Sequence, residues 1–241
     1  MNKHIPNFIT SLNLASGFIA IIFIAGGDLL TGSWLILAAM IFDFLDGLSA
    51  RLLKAYSEFG KELDSLADVI SFGVAPGFII SKLLSASFSG TSDAGTVLFI
   101  IAMIIPSIMP VCAALRLARF NIDTTQSTSF KGLPTPANGL AVISVVIANH
   151  YSDSQVFSIF YDSATAIIIL TLALSFLMVS RIPLMSLKIK HFKLKGNEGR
   201  YLLFVLVGIS IIIFGLAAMP LIIPIYIIAS LVSFLFLEDS K

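Results

Sequence analysis

Apolar stretches of nearly 20 residues recur along this chain, and that recurrence leaves few folds open to it. Eight such segments lie at about 12–25, 33–51, 63–84, 96–117, 134–150, 163–180, 200–217 and 220–237. A helix needs about 20 apolar residues to cross a bilayer, and turns flanking the shorter segments extend them. Lipid offers no water to satisfy an open backbone, so each segment reads as a helix. Only 12% of the residues are charged, against 57% hydrophobic. A soluble domain carries roughly 25% charged residues, so most of this surface faces lipid. The expected fold is all-α: a polytopic membrane bundle of about eight transmembrane helices, forming one domain over 1–241. Residues 2–10, mixed in polarity and too short to span, read as a short interfacial helix feeding the first span. They lack a small-residue cleavage site and do not read as a signal peptide. The net charge of +1 implies no pull towards nucleic acid. The single cysteine, Cys112, reads as a small core residue.

Basic residues set the expected orientation. Lys3, then Arg51, Lys54 and Lys61, then Arg116, Arg119 and Lys131, then six residues of 181–200, then Lys241 fall on alternate connections. The intervening connections, 26–32, 85–95, 151–162 and the turn near Met219, contain neither lysine nor arginine. Positive charge is retained on the cytoplasmic side. Eight spans in the cell membrane with both termini cytoplasmic therefore fit every loop. The basic loop 181–200 is open to two readings, an ordinary positive-inside loop or a patch that attracts anionic lipid.

The chemistry concentrates in residues 43–68. Asp43, Asp46, Gly47, Ala50 and Arg51 follow i, i+3, i+4, i+7, i+8, which puts them on one helical face. Gly60, Asp64 and Asp68 follow i, i+4, i+8 on the next helix, so two acidic stripes can face one cleft. Each aspartate inside a span costs about 2.5–3.5 kcal/mol at the centre, less near an end. Hard divalent ions such as Mg²⁺ or Mn²⁺ favour oxygen ligands and would offset that cost. Histidine and cysteine are absent from the cluster, which argues against zinc. The small residues leave room for a diphosphate or for helix packing; both readings stand.

These residues, Asp43, Asp46, Gly47, Ala50, Arg51, Gly60, Asp64 and Asp68, complete the pattern D-x2-D-G-x2-A-R-x8-G-x3-D-x3-D. The chain thereby resembles the CDP-alcohol phosphatidyltransferases. Residues 5–10, 71–77, 116–121 and 130–136 resemble the phosphatidylserine-forming branch; the spans over about 200–237 are less diagnostic. The resemblance implies transfer of a phosphatidyl group from CDP-diacylglycerol to L-serine, with CMP released. It implies that Asp43 and Asp64 bridge two metal ions, that Asp46 and Asp68 complete the two sites, and that Asp68 is the catalytic base. It also implies that Pro6, Asn7, Thr10, Gly47, Ala50, Arg51, Ser57 and Gly60 hold CDP-diacylglycerol. Members often form homodimers, which the resemblance allows here.

For the acceptor, arginine can grip a serine carboxylate bidentately. Arg116 and Arg119 are the candidates, with Asn121, Lys131 and Ser71 behind them; both arginines also fit as interfacial anchors. The alternatives are another acceptor (glycerol 3-phosphate, inositol phosphate or choline) or, from another class, a cation channel or transporter. A cation path has no use for Arg51 beside its ligands. The orientation is testable. A cysteine placed within 151–162 is expected to react with an impermeant reagent from outside the cell, and one within 188–195 is not. The reverse labelling would move the acidic cluster to the outer face.

Overall fold

The computed structural model describes residues 4–88, 95–122, 130–152, 162–185 and 197–237. Its elements are α1 (His4–Ala25), α2 (Leu29–Leu52), α3 (Glu58–Asp68), a π-helical segment (Val69–Val74), α4 (Ala75–Phe88), α5 (Gly95–Ile122), α6 (Thr135–Tyr151), α7 (Ala164–Val179), α8 (Glu198–Phe214), a 3₁₀ segment (Gly215–Leu221) and α9 (Ile222–Leu237). All eight apolar segments fall in helices. Five stretches among the described residues are long and apolar enough to cross a membrane: His4–Ala25, Leu29–Leu52, Glu58–Phe88, Thr96–Ile122 and Gly199–Ser233. The last folds back on itself, since a Cβ on Gly199 would meet the Ser233 side chain. α6 and α7 are shorter, at 17 and 16 residues.

The separate interfacial helix expected at the N-terminus is not there. Residues 4–10 are the opening turns of α1, which runs unbroken to Ala25. Its buried stripe, Pro6, Thr10, Asn13, Gly17, Ala20 and Ile24, shows why. The opening turns pack into the bundle on the same face as the apolar turns beyond them. Pro6 lies in the first turn, where a missing N–H leaves no helical bond unmade.

α1 and α2 form an antiparallel pair joined by a tight turn at Gly27, which takes φ +96°. Asp28 caps α2, accepting from Thr31 N at 2.9 Å. Hydrogen bonds from Thr31 hold its exposed carboxyl below the ordinary value. At the other end of α2, Ser57 starts α3 by accepting from Gly60 N at 3.0 Å. Carboxylates of the two acidic stripes are thereby brought together.

The third span changes helix type just beyond Asp68. Pro76 has no N–H to offer the Phe72 carbonyl four residues earlier. The chain widens to a π turn, and Asn138 Nδ2 on α6 donates to that carbonyl at 2.8 Å. Small residues let neighbours close on this turn. Gly17 of α1 approaches Ser71, Gly73 approaches Pro110 and Ala113 of α5, and Gly139 approaches Phe72. The core runs from here through Ile79, Ile80, Leu84, Met109, Ile143 and Ile147.

A short strap lies at the same end of the bundle as the acidic stripes. Phe130–Lys131 pairs antiparallel with Pro183–Leu184. Gly132 follows at φ +81°, its Cα against the carbonyls of Leu177, Met178 and Ser180, where any side chain would collide. Leu133 N then donates to Leu177 O at 2.9 Å. α6 is thus delivered with Pro134 as its cap and Thr135 as its first residue.

Candidate active site

Three helices and the start of a fourth supply the centre. Asp43 and Asp46 come from α2, Asp64 and Asp68 from α3, Thr10 and Asn13 from α1, and Thr135 from α6. Carboxylate oxygens of Asp43, Asp64 and Asp68 lie within 4.8 Å of one another. Asp46 lies next to this trio without joining it. It is buried, and its Oδ2 accepts from Thr10 Oγ1 at 2.6 Å. Asp68, also buried, accepts from Thr135 Oγ1 at 3.2 Å and Asn13 Nδ2 at 3.4 Å.

This donor set suits a divalent ion. It is all oxygen, anionic and convergent. One of its oxygens, Asp64 Oδ1, is buried with no hydrogen-bond partner, a costly state for a carboxylate unless something else fills the position. The cations nearest in sequence point elsewhere. Arg51 Nε donates to Gly47 O at 2.8 Å and Lys61 Nζ to Asn121 O at 2.7 Å. The trio therefore fits a metal ion held by Asp43, Asp64 and Asp68, with Asp46 on its cavity side.

That cavity, of about 540 Å³, opens between α1, α2 and α3. Pro6, Asn7, Thr10, Gly47, Ala50, Ser57 and Gly60, seven of the eight donor residues expected from the sequence, line it together with Asp46 and Asp64. Arg51, the eighth, is exposed and folded back on Gly47 O. Gly60 owes its identity to crowding. A Cβ there would come within 2.9 Å of Asn7 Oδ1 and 3.0 Å of Ser57 Oγ.

Residues 3–185 match the CDP-alcohol phosphatidyltransferase family. The chain belongs to that family. Among similar proteins are CDP-diacylglycerol–serine O-phosphatidyltransferases of three organisms. The Helicobacter pylori (strain 26695) protein is 34% identical over 96% of this chain and 91% of its own. That of Bacillus subtilis is 33% identical over 81% and 95%. That of Saccharomyces cerevisiae is 40% identical over 56% and 50%. The family generally uses a divalent metal, and among the described residues of this CDP-alcohol phosphatidyltransferase the aspartate trio is a group able to hold one.

The residues expected at the acceptor end are scattered. Arg116 is buried, within electrostatic reach of Asp68 and Tyr226, and its Nε has no partner. Arg119, one turn on, is exposed and donates to Val179 O at 3.0 Å, tying α5 to the end of α7. Asn121 Nδ2 donates to Ser65 Oγ at 2.9 Å, bracing α5 on α3. Ser71 is wholly buried and donates to Asn13 O at 3.1 Å. The Lys131 side chain lies outside the described residues.

Sequence reasoning passed over Asn13, Thr135, Asn138 and Tyr56. Asn13 carried a signal, being a polar residue three positions after Thr10 in an otherwise apolar run. Thr135 sits between Pro134 and Pro136 at the start of α6. Tyr56 lines the cavity mouth with Glu58, and no spacing announces it.

The Thr10 contact is testable. Groups that orient metal-binding carboxylates typically matter 10–100-fold in metal affinity or activity. Thr10→Val, which keeps the shape and removes the bond to Asp46, is expected to raise the divalent-ion concentration for half-maximal activity by about that factor. An unchanged ion titration would separate Asp46 from the metal.

Proposed function

We propose that this chain transfers the phosphatidyl group of CDP-diacylglycerol to the hydroxyl of L-serine, giving phosphatidylserine and CMP. The observation that carries the reading is the placement of Asp68. It lies among the other carboxylates and within electrostatic reach of Arg116, which is buried with an unpartnered Nε. A donor diphosphate on the cavity side and a zwitterionic acceptor on the arginine side would meet at that carboxylate. The relatives' names point to the same pair of substrates.

The roles follow from position. The cavity between α1, α2 and α3 takes the nucleotide diphosphate, the small faces of Gly47, Ala50 and Gly60 admitting it close to the backbone. Thr10 orients Asp46; Asn13 and Thr135 orient Asp68. Asp68 accepts the proton of the serine hydroxyl as its oxygen attacks the phosphorus bonded to diacylglycerol. The bond from that phosphorus to the oxygen bridging to the cytidine phosphate breaks, and CMP leaves with the electron pair. Asp43, Asp46, Asp64 and Asp68 would hold two divalent ions, Mg²⁺ or Mn²⁺, whose charge would neutralise the diphosphate and the leaving phosphate. The site faces the cytoplasm, consistent with the basic residues around it. Choline would call for an aromatic cage. The buried cation Arg116 at Asp68 favours an acceptor with a carboxylate instead.

The test is CMP release by purified protein from CDP-diacylglycerol with serine, glycerol 3-phosphate, inositol phosphate and choline in parallel. Serine alone is expected to support turnover, and release driven by another alcohol would replace the acceptor. Asp68→Asn is expected to lower kcat about 10²–10⁴-fold, the usual range for a general base, with CDP-diacylglycerol still bound. Turnover near the native level would remove the base role.

The two arginines are expected to behave differently. Arg116→Ala should raise the KM for serine about 10–150-fold, as for a charged hydrogen bond, and leave the KM for CDP-diacylglycerol nearly unchanged. Arg119→Ala should lower the melting temperature more than it alters either KM. Equal weakening of both substrates by Arg116→Ala would reduce Arg116 to a structural cation.

A further inference from the structure

Five buried side-chain polar atoms among the described residues lack a hydrogen-bond partner: Asn13 Oδ1, Asp64 Oδ1, Arg116 Nε, Asn138 Oδ1 and Ser175 Oγ. Buried polar groups are nearly always paired in folded proteins, so each such atom calls for a partner: a water, an ion or a ligand. Four of the five belong to residues around Asp68 and the π segment that follows it. Asp64 Oδ1 suits the metal and Arg116 Nε the acceptor carboxylate. The two amide oxygens remain.

Both amides are fixed by their other atoms. Asn13 Nδ2 donates to Asp68 Oδ1 at 3.4 Å, and its main-chain carbonyl accepts from Ser71 Oγ at 3.1 Å. Asn138 Nδ2 donates to Phe72 O at 2.8 Å. Successive residues of the π segment, Ser71 and Phe72, thus hold the two asparagines with their amino groups engaged and their oxygens free. Neither residue is exposed. Asn138 lies one turn beyond Thr135 on α6, and Thr135 itself donates to Asp68. The free atoms around the base and the π segment that follows it are therefore a guanidinium donor and two amide acceptors.

From that polarity we infer that Asn13 and Asn138 recognise the ammonium group of the acceptor, completing with Arg116 a receptor for an α-amino acid zwitterion. The inference rests on the proposed serine reaction and adds what selects the amino group. A carboxylate accepts and needs Arg116. An ammonium donates and needs the two amide oxygens, which carry no charge to compete with Asp68 for the hydroxyl proton. Glycerol 3-phosphate and inositol phosphate bring no cationic group and would leave both oxygens unpaired, a penalty that a site built for hydrogen bonding converts into strong rejection. Specificity for an amino acid would then be set by two neutral residues outside the acidic signature.

The experiment uses full-length protein and two serine analogues, each lacking one group, as competitors of serine: 3-hydroxypropanoate, without the ammonium, and serine methyl ester, without the carboxylate. Native protein is expected to bind 3-hydroxypropanoate at least about 10-fold more weakly than serine. Asn13→Ala and Asn138→Ala should each raise the KM for serine about 10-fold or more and narrow its advantage over 3-hydroxypropanoate. The KM for CDP-diacylglycerol and the advantage over the methyl ester should stay as in the native protein. Asn138→Ala also unpairs the Phe72 carbonyl, so the competition on native protein decides if that variant does not fold. Equal binding of serine and 3-hydroxypropanoate by native protein overturns the inference. So does a shift in divalent-ion requirement in Asn13→Ala at unchanged serine KM, which would give that oxygen to the metal. Failure of the underlying serine reaction is recognised separately, by turnover with a different alcohol in the acceptor panel.

Discussion

The structure is organised around the repulsion among carboxylates gathered at the ends of membrane spans. Oxygens of Asp43, Asp64 and Asp68 share a space less than 5 Å across, with Asp46 alongside. At such separations like charges interact by several kcal/mol even at the effective dielectric of a protein surface. Arg116 brings a positive charge within electrostatic reach of Asp68, and hydrogen bonds add to it. They come from hydroxyl and amide donors, Thr10, Asn13 and Thr135, each contributed by a helix other than those bearing the aspartates. The rest of the charge is left for a metal ion. This arrangement binds α1, α2, α3 and the start of α6 into one unit.

The same requirement explains the irregular third span. A regular helix through Pro76 would leave the Phe72 carbonyl without a donor in a medium that offers no water. The π turn and Asn138 resolve that defect. In doing so they draw α6 against the segment just beyond Asp68. The close approaches at Gly17, Gly73 and Gly139 serve the same end, since no larger residue would let α1, α5 and α6 converge on this turn. Small residues here set the position of polar groups as well as the helix spacing.

Most of the helical plan was legible in the chain because lipid enforces a strict code of apolar length. The acidic centre was legible because its residues lie on two consecutive helices with helical spacing. Of the eight residues expected to hold the donor, seven line one cavity. The groups proposed for the acceptor were harder to read. They come from α1, α5 and α6, far apart in sequence, and single polar residues in apolar runs have no period to betray them. Arg116 and Arg119 looked equivalent in sequence, one turn apart. Their environments separate them, one buried beside Asp68 and the other exposed at the end of α7. The N-terminal turns misled for a related reason. Their mixed polarity resembled an interfacial helix, whereas their polar atoms face the site.

α1 consequently has a larger part than its plain sequence suggests. Pro6, Asn7 and Thr10 border the donor cavity, and Asn13, about one turn further, reaches Asp68. A straight helix rises about 1.5 Å per residue, so the step from Thr10 to Asn13 is roughly 4–5 Å along its axis. Those two residues hold Asp46, on the donor cavity, and Asp68, the proposed base. A rigid helix fixes such a distance better than a loop can, because its own hydrogen bonds hold the spacing. On this view α1 acts as the ruler that keeps the two substrates in register, and its buried stripe of small and polar residues is what lets it lie close enough to do so.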